Sequence, residues 1–284
     1  MRTATMMKMI QRMLCLALVW APLVASADWT EGDPYKMHYP QLPNPNGWDV
    51  KVDGPNVVAD DFQCTQNGPI TSIHFWGSWK GDTVGLLSNI HLSLHADIPA
   101  NPGDPDSYSM PGDELWTYNT YLYDPGLVTI RLYGTGDQGW YDPITPAGVG
   151  QYLENDHQDI WQYNVMIDPS RWFEQQSGTI YWLDIHVANE TENTEFGWKT
   201  SSNHWNDDAV TEDFYETLPV DWIELRDPIT AESLDMAFVI VPEPHAALLA
   251  LLGGVACWLA GRRKSRSSHF PIQNPENMRS SSSA

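Results

Sequence analysis

Along residues 89–98 apolar and polar side chains alternate without a break: Ile90, Leu92, Leu94, Ala96 and Ile98 fall on one face, His91, Ser93, His95 and Asp97 on the other. A period of two belongs to a β-strand with one face buried. Residues 179–188 repeat the pattern, with Tyr181, Leu183, Ile185 and Val187 inward and Trp182, Asp184 and His186 together on the opposite face. Residues 70–79 form a third clear strand, and shorter segments at 57–63, 115–121, 128–133, 163–168, 195–200, 222–226 and 236–241 bring the predicted set to ten. Helical periodicity is scarce; residues 151–161 and 169–176 are the two stretches that can supply a short helix.

Turn chemistry fills the gaps. Pro, Gly, Asn and Asp crowd residues 99–112, 134–139 and 201–208, and none of these runs has the length or composition of an interdomain linker. There is no repeat of solenoid length and no glycine-rich phosphate loop after a strand. One-sided alternation over this many strands predicts a single all-β domain over residues 28–241, an antiparallel β-sandwich with the jelly roll as one arrangement the strand count allows.

Charge narrows the partners. Residues 28–241 carry seven Lys or Arg against 35 Asp or Glu, a surface that repels phosphate backbones and disfavours nucleic acid. Neutral ligands and divalent cations remain.

The two ends carry addresses. Arg2, Lys8 and Arg12 precede an apolar stretch from Met13 to Ala25, and Ala25-Ser26-Ala27 ends it, so residues 1–27 read as a secretory signal cleaved after Ala27. Cleavage removes Cys15; Cys257 lies in the other apolar end, so Cys64 is the body's single cysteine, expected as a buried inert thiol rather than half of a disulfide. At the other end Pro242-Glu243-Pro244 precedes the apolar run 246–260 and then Arg262, Arg263, Lys264 and Arg266. As a helix that run spans about 22 Å, short of a full hydrocarbon core, so it is expected to insert marginally with the basic cluster held in the cytoplasm. Residues 267–284 form a Ser-, Asn- and Pro-containing tail with the composition of a disordered segment.

Motif, short span and basic cluster in that order over residues 242–266 resemble the PEP-CTERM sorting signal of bacteria that make extracellular polysaccharide. The resemblance implies recognition by an exosortase-like membrane enzyme, transient passage through the inner membrane, and delivery to the cell surface or extracellular matrix. The body resembles an uncharacterised domain of other exported proteins with this signal, through Val58-Ala-Asp-Asp-Phe62, Ile73-His-Phe-Trp-Gly-Ser-Trp79, Tyr181-Trp-Leu-Asp-Ile185, Phe196-Gly-Trp-Lys-Thr200 and Leu234-Asp-Met-Ala-Phe238. That likeness implies a β-rich module and assigns no activity.

Candidate chemistry within the body is of three kinds. Sugars present flat apolar faces to aromatic rings and hydroxyls to polar rims, so Trp76, Trp79, Trp182, Trp198 and Trp205, with Asp184 and His186, are the candidate glycan-binding residues. The oxygen-rich loops offer Asp104, Asp106, Asp207 and Asp208 as candidate calcium ligands. His91 and His95 would pair on a helix, but on a strand their Cα atoms stand about 13 Å apart, which argues against a zinc site. The expectation is a non-enzymatic, structural or glycan-associated surface protein; the alternative is a secreted carbohydrate-active enzyme working through a carboxylate pair.

Overall fold

The computed structural model describes residues 28–104, 106–121, 127–145, 150–213 and 222–242. The signal cleavage residues Ala25 and Ala27, the motif beyond Pro242, the apolar run and the basic cluster Arg262, Arg263, Lys264 and Arg266 lie outside the described residues. Among the described residues no helix is long and apolar enough to cross a membrane. Ser26–Glu243 forms one compact unit.

The unit is all-β. Its strands are β1 (Trp48–Lys51), β2 (Asn56–Gln63), β3 (Gly68–Ile70), β4 (Ser72–Trp79), β5 (Leu87–Ile98), β6 (Met110–Tyr121) and β7 (Val128–Asp142). The second half adds β8 (Gln151–Met166), β9 (Phe173–Gln175), β10 (Ile180–Asn189), β11 (Phe196–Lys199), β12 (Val210–Asp213), β13 (Ile223–Glu224) and β14 (Phe238–Val241). One sheet runs β13-β12-β2-β10-β5-β6 and is antiparallel throughout. A second runs β11-β1-β7-β8-β4-β14, where a further pairing of β11 with β4 closes β1, β7, β8, β4 and β11 into a barrel-like ring of five, and β3 pairs with β9 in a small third sheet. All ladders of the second sheet are antiparallel except β1 with β7.

The shared core follows from the alternation. Ile90, Leu92 and Leu94 of β5 and Leu183, Ile185 and Val187 of β10 stand opposite one another in register and are fully buried. They join Ile73, Phe75, Tyr163, Phe196, Trp198 and Phe238 of the second sheet in one apolar cluster. Aromatic contacts tie the ring strands together there: Phe75 stacks on Tyr163 at 5.2 Å, and Phe196 meets Tyr163 edge-on at 5.0 Å.

Three expectations need correction. Residues 151–161 are no helix; they open the sixteen-residue strand β8, whose first five residues are exposed and so show no inward stripe. Residues 169–176 hold a 3-10 turn at Pro169–Arg171 and the short strand β9. The glycines at 134–139 do not mark a turn but sit inside β7, where the register with β8 shifts. A Cβ on Gly136 would fall 1.8 Å from the Pro45 carbonyl oxygen, and one on Gly139 2.3 Å from the Trp48 ring. Those glycines admit close approach of a neighbouring segment, the usual meaning of glycine within a strand.

Candidate functional site

The outer face of β10 carries Trp182, Asp184 and His186 as the alternation requires, yet Trp182 and Asp184 are covered and only His186 borders an open recess, with Lys51, Asp53 and Glu195. Trp182 is fully buried with Ala59 and Val210, with Tyr108 and Trp222 packed against them, and its Nε1 donates to Asp97 Oδ1 at 2.9 Å. Asp184 is buried and accepts from Ser93 Oγ at 2.7 Å and His95 Nε2 at 2.6 Å. Burial alone would lower the His95 pKa, but the hydrogen bond and charge of Asp184 outweigh it and raise it. His186 is half-buried, donates to the Gly54 carbonyl at 3.1 Å, and has its pKa lowered by burial.

The other candidate tryptophans correct the sequence expectation further. Trp79 and Trp198 belong to the shared core, and Trp76 packs with Trp29, Ile160, Ala237 and Val239 on the opposite face of β4. Only Trp205 of the five is half-buried; its ring stacks on His38 at 4.1 Å. A tryptophan on the outward face of a strand is exposed only when nothing lies over that face, and here both faces are covered.

The candidate calcium ligands hold the chain itself. Asp104 and Asp106 are exposed turn residues, with the Asp106 amide donating to Asp104 Oδ1 at 3.1 Å. Asp207 accepts from Ser109, and Asp208 accepts from Ser233 and pairs with Arg226 at 2.6 Å. Among the described residues no three His, Cys, Asp or Glu side chains are arranged to hold a metal ion. Cys64 is buried, as expected, and burial raises its thiol pKa. His91 and His95 lie on strand β5, also as expected.

A polar cleft lies where three loop segments converge. Residues 44–48, 200–204 and 227–235 enclose about 330 Å³. Its lining includes Asn44, Asn46, Asn203, Ser202 and His204, the acids Asp227, Glu232 and Asp235, and Trp48, which is itself buried in the shared core. Trp48 Nε1 donates to Asp227 Oδ2 at 2.7 Å, while Asp227 Oδ1 accepts from the amides of Ile229 and Thr230 at 2.8 and 2.9 Å. Burial pushes the Asp227 pKa up, but these bonds outweigh it and hold it below the ordinary value.

Behind the cleft is a buried acid cluster. Strand period turns Asp60 toward the core between Val58 and Phe62, where it accepts from Met236 N at 2.7 Å and Gln41 Nε2 at 2.8 Å. The same Gln41 nitrogen reaches Asp235 Oδ2 at 3.5 Å. Asp235 accepts from Trp205 N at 2.6 Å, and its Oδ1 lies 2.6 Å from His204 Nδ1. Asp61 points the other way, to Asn206 Nδ2 at 2.5 Å. Ionising a carboxyl without water is costly, and a second charge nearby adds to the cost. Burial and the charge of Asp60 therefore lift Asp61 to about 9, burial lifts Asp235 to about 8, and burial with the charge of Asp235 lifts Asp60 well above its ordinary value.

The sequence carried partial signals for this site. An aspartate at an inward strand position, as in Val58-Ala-Asp60-Asp-Phe62, marks a buried acid, and the polar run 201–208 marks a loop. Their convergence with residues 44–48 and 227–235 is long-range and leaves no local trace.

The fold and cleft define an acidic all-β module with a polar recess at one loop cluster. The chain belongs to the family described as a domain of unknown function, DUF7901, whose profile matches residues 37–241. The match begins at Met37, which bridges Cys64, and ends with the last residue of β14, so it takes in all three sheets and the cleft. No curated protein and no solved structure matches the chain.

Proposed function

We propose that this protein is an exported surface or matrix component whose sandwich-like body holds a neutral polysaccharide in the cleft formed by residues 44–48, 200–204 and 227–235. The observation that carries this reading is the composition of the lining: amides, hydroxyls, an imidazole and carboxylates beside Trp48, with no Lys or Arg among the lining residues. Sugar hydroxyls both donate and accept, and such a wall answers both needs. The acidic body and the carboxylates of the cleft disfavour polymers of uronic acids. Export and sorting rest on the resemblance of residues 242–266 to an exosortase substrate, which implies transient passage through the inner membrane and delivery to the cell surface or matrix.

A second reading has its own observation. Asp235, lifted to about 8, and Asp227, held below its ordinary value, line one cleft, and a pair pushed apart in this way can divide acid and base roles. Against it, every oxygen of both carboxylates already accepts a hydrogen bond from the protein, which suits loop-holding better than turnover.

Affinity electrophoresis of the exported protein through gels containing neutral and uronate polysaccharides tests the proposal. Retardation in a neutral polymer, weakened by Asn203→Ala and His204→Ala, with no release of reducing ends, is the expected result. Release of reducing ends that disappears in Asp235→Asn would favour the hydrolase, and unaltered mobility in every polymer would overturn the binding proposal. Parallel lanes with calcium and with chelator separate binding in the cleft from calcium bridging through Asp104, Asp106, Asp207 and Asp208.

A further inference from the structure

The faces of β1, β11, β4, β7 and β8 that turn away from the shared core meet one another inside the five-stranded ring. Ser78 Oγ donates to Gln138 Oε1 at 3.0 Å there, and Trp140 packs edge-on against His157 at 6.3 Å. Among these side chains are a lysine and an aspartate with no exposed surface, Lys199 and Asp49. They stand directly opposite in the β1–β11 register, and Lys199 Nζ lies 2.9 Å from Asp49 Oδ2.

Three neighbours complete the arrangement. His157 Nε2 lies 2.9 Å from the same Oδ2, and its Nδ1 lies 3.1 Å from Asp156, whose side chain is 14% exposed. Lys199 Nζ also donates to the Gly47 carbonyl at 2.9 Å. Asp49 Oδ1 is buried without a hydrogen-bond partner. The space is tight: a Cβ on Gly197 would come within 2.9 Å of both the Asp49 side chain and the Trp140 ring.

A buried ion pair recovers little of what it loses in hydration. Burial draws the Lys199 pKa down despite the charge of Asp49, which makes its free amine easier to reach. Burial pushes the Asp49 pKa up, but the charges and hydrogen bonds of Lys199 and His157 keep it below the ordinary value, so the pair rests charged. Condensing the two groups removes both charges and needs no oxidant, reductant or added reactant.

We propose that Lys199 and Asp49 join in an intramolecular isopeptide bond. The Lys199 ammonium passes one proton to Asp49 Oδ2, and the free amine's electron pair attacks Cγ, forming the Nζ–Cγ bond. The His157 imidazolium, whose Nε2 already faces Oδ2, gives that oxygen a proton and then regains one from the nitrogen. The Cγ–Oδ2 bond then breaks with its electron pair on oxygen, and one water leaves. His157 touches the leaving oxygen and is the catalytic residue of this step. The product fits the surroundings atom by atom: the remaining amide N–H keeps the bond to Gly47, Oδ1 becomes an uncharged carbonyl oxygen, and the leaving water forms beside His157. The bond stitches β1 to β11 and closes the chain between residues 49 and 199 in a body whose cysteine, Cys64, is free.

Mass spectrometry of the exported protein tests this without any variant. The peptides bearing Asp49 and Lys199 should be recovered joined and lighter by one water, with trypsin no longer cutting after Lys199. His157→Ala should slow or abolish joining, leaving peptides of full mass, and Lys199→Arg should restore full mass whether or not it is as stable. Recovery of Asp49 and Lys199 in separate peptides of full mass from the folded wild-type protein would overturn the proposal.

Discussion

Raising the pH from 6.5 to 8 should weaken the folded state through the acid cluster behind the cleft. Asp61 and Asp235 have folded pKa values of about 9 and about 8 against an ordinary 3.8, and Asp60 is raised as well. In that interval the native protein keeps protons that the unfolded chain has released, so their contribution is full below the unfolded value and is lost as pH climbs through the folded one. Below pH 6.5 an opposing set acts: burial holds His38 and His74 at about 4, so the unfolded chain gains protons there that the native state refuses. His186, also lowered, adds to that set, while His95 and His157, both raised, act in the same direction as the acids. Above 6.5 the acids dominate. Each retained proton gives a slope of about 1.4 kcal/mol per pH unit, so two groups over this window lose on the order of 3 kcal/mol. Asparagine has the shape and donor capacity of a protonated carboxyl, so Asp235→Asn should keep the fold and roughly halve the slope. Urea midpoints measured across the window, with a constant m-value, read the effect. Wild-type stability that is flat or rises between pH 6.5 and 8 would refute the reasoning.

Other consequences follow from the packing. Trp182→Ala empties a fully buried site and loses the bond to Asp97, so urea unfolding should show a loss of about 3–5 kcal/mol, with polysaccharide retention of the folded protein unchanged. Gly139→Ala drives a Cβ to 2.3 Å from the Trp48 ring and should dislodge the indole from Asp227, weakening retention in affinity gels and costing about 1–3 kcal/mol in the same unfolding assay. Asn203→Ala changes an exposed rim amide and should reduce retention while moving stability by less than about 0.5 kcal/mol.

Strands β5 and β10 were legible because one face of each meets the shared core and the other carries polar groups, which is the condition under which a period of two appears in a sequence. The first part of β8 was not, because Gln151–Met166 begins with residues exposed on both faces. Glycines 136 and 139 of β7 read locally as a turn, although they serve contacts with Pro45 and Trp48 far away in the chain. The same limit governs the tryptophans: alternation assigned Trp182 to the outer face correctly, but only the tertiary packing of Tyr108 and Trp222 decides that this face is covered. For the cleft, each loop announced itself by its Asn, Ser, Asp and Gly content. Nothing local joins residue 48 to residue 227, and that contact is made by one indole nitrogen and one carboxylate.

The central proposal, that the loop cleft holds a sugar polymer, is tested most directly by titrating the ¹⁵N-labelled protein with oligosaccharides of the retaining polymer and following the indole N–H resonances. The account predicts saturable shifts at Trp48 and at the amides of residues 200–204 and 227–235, with Trp182 and Trp198 unmoved. Shifts centred on another surface, or a spectrum unchanged at saturating oligosaccharide, would contradict it.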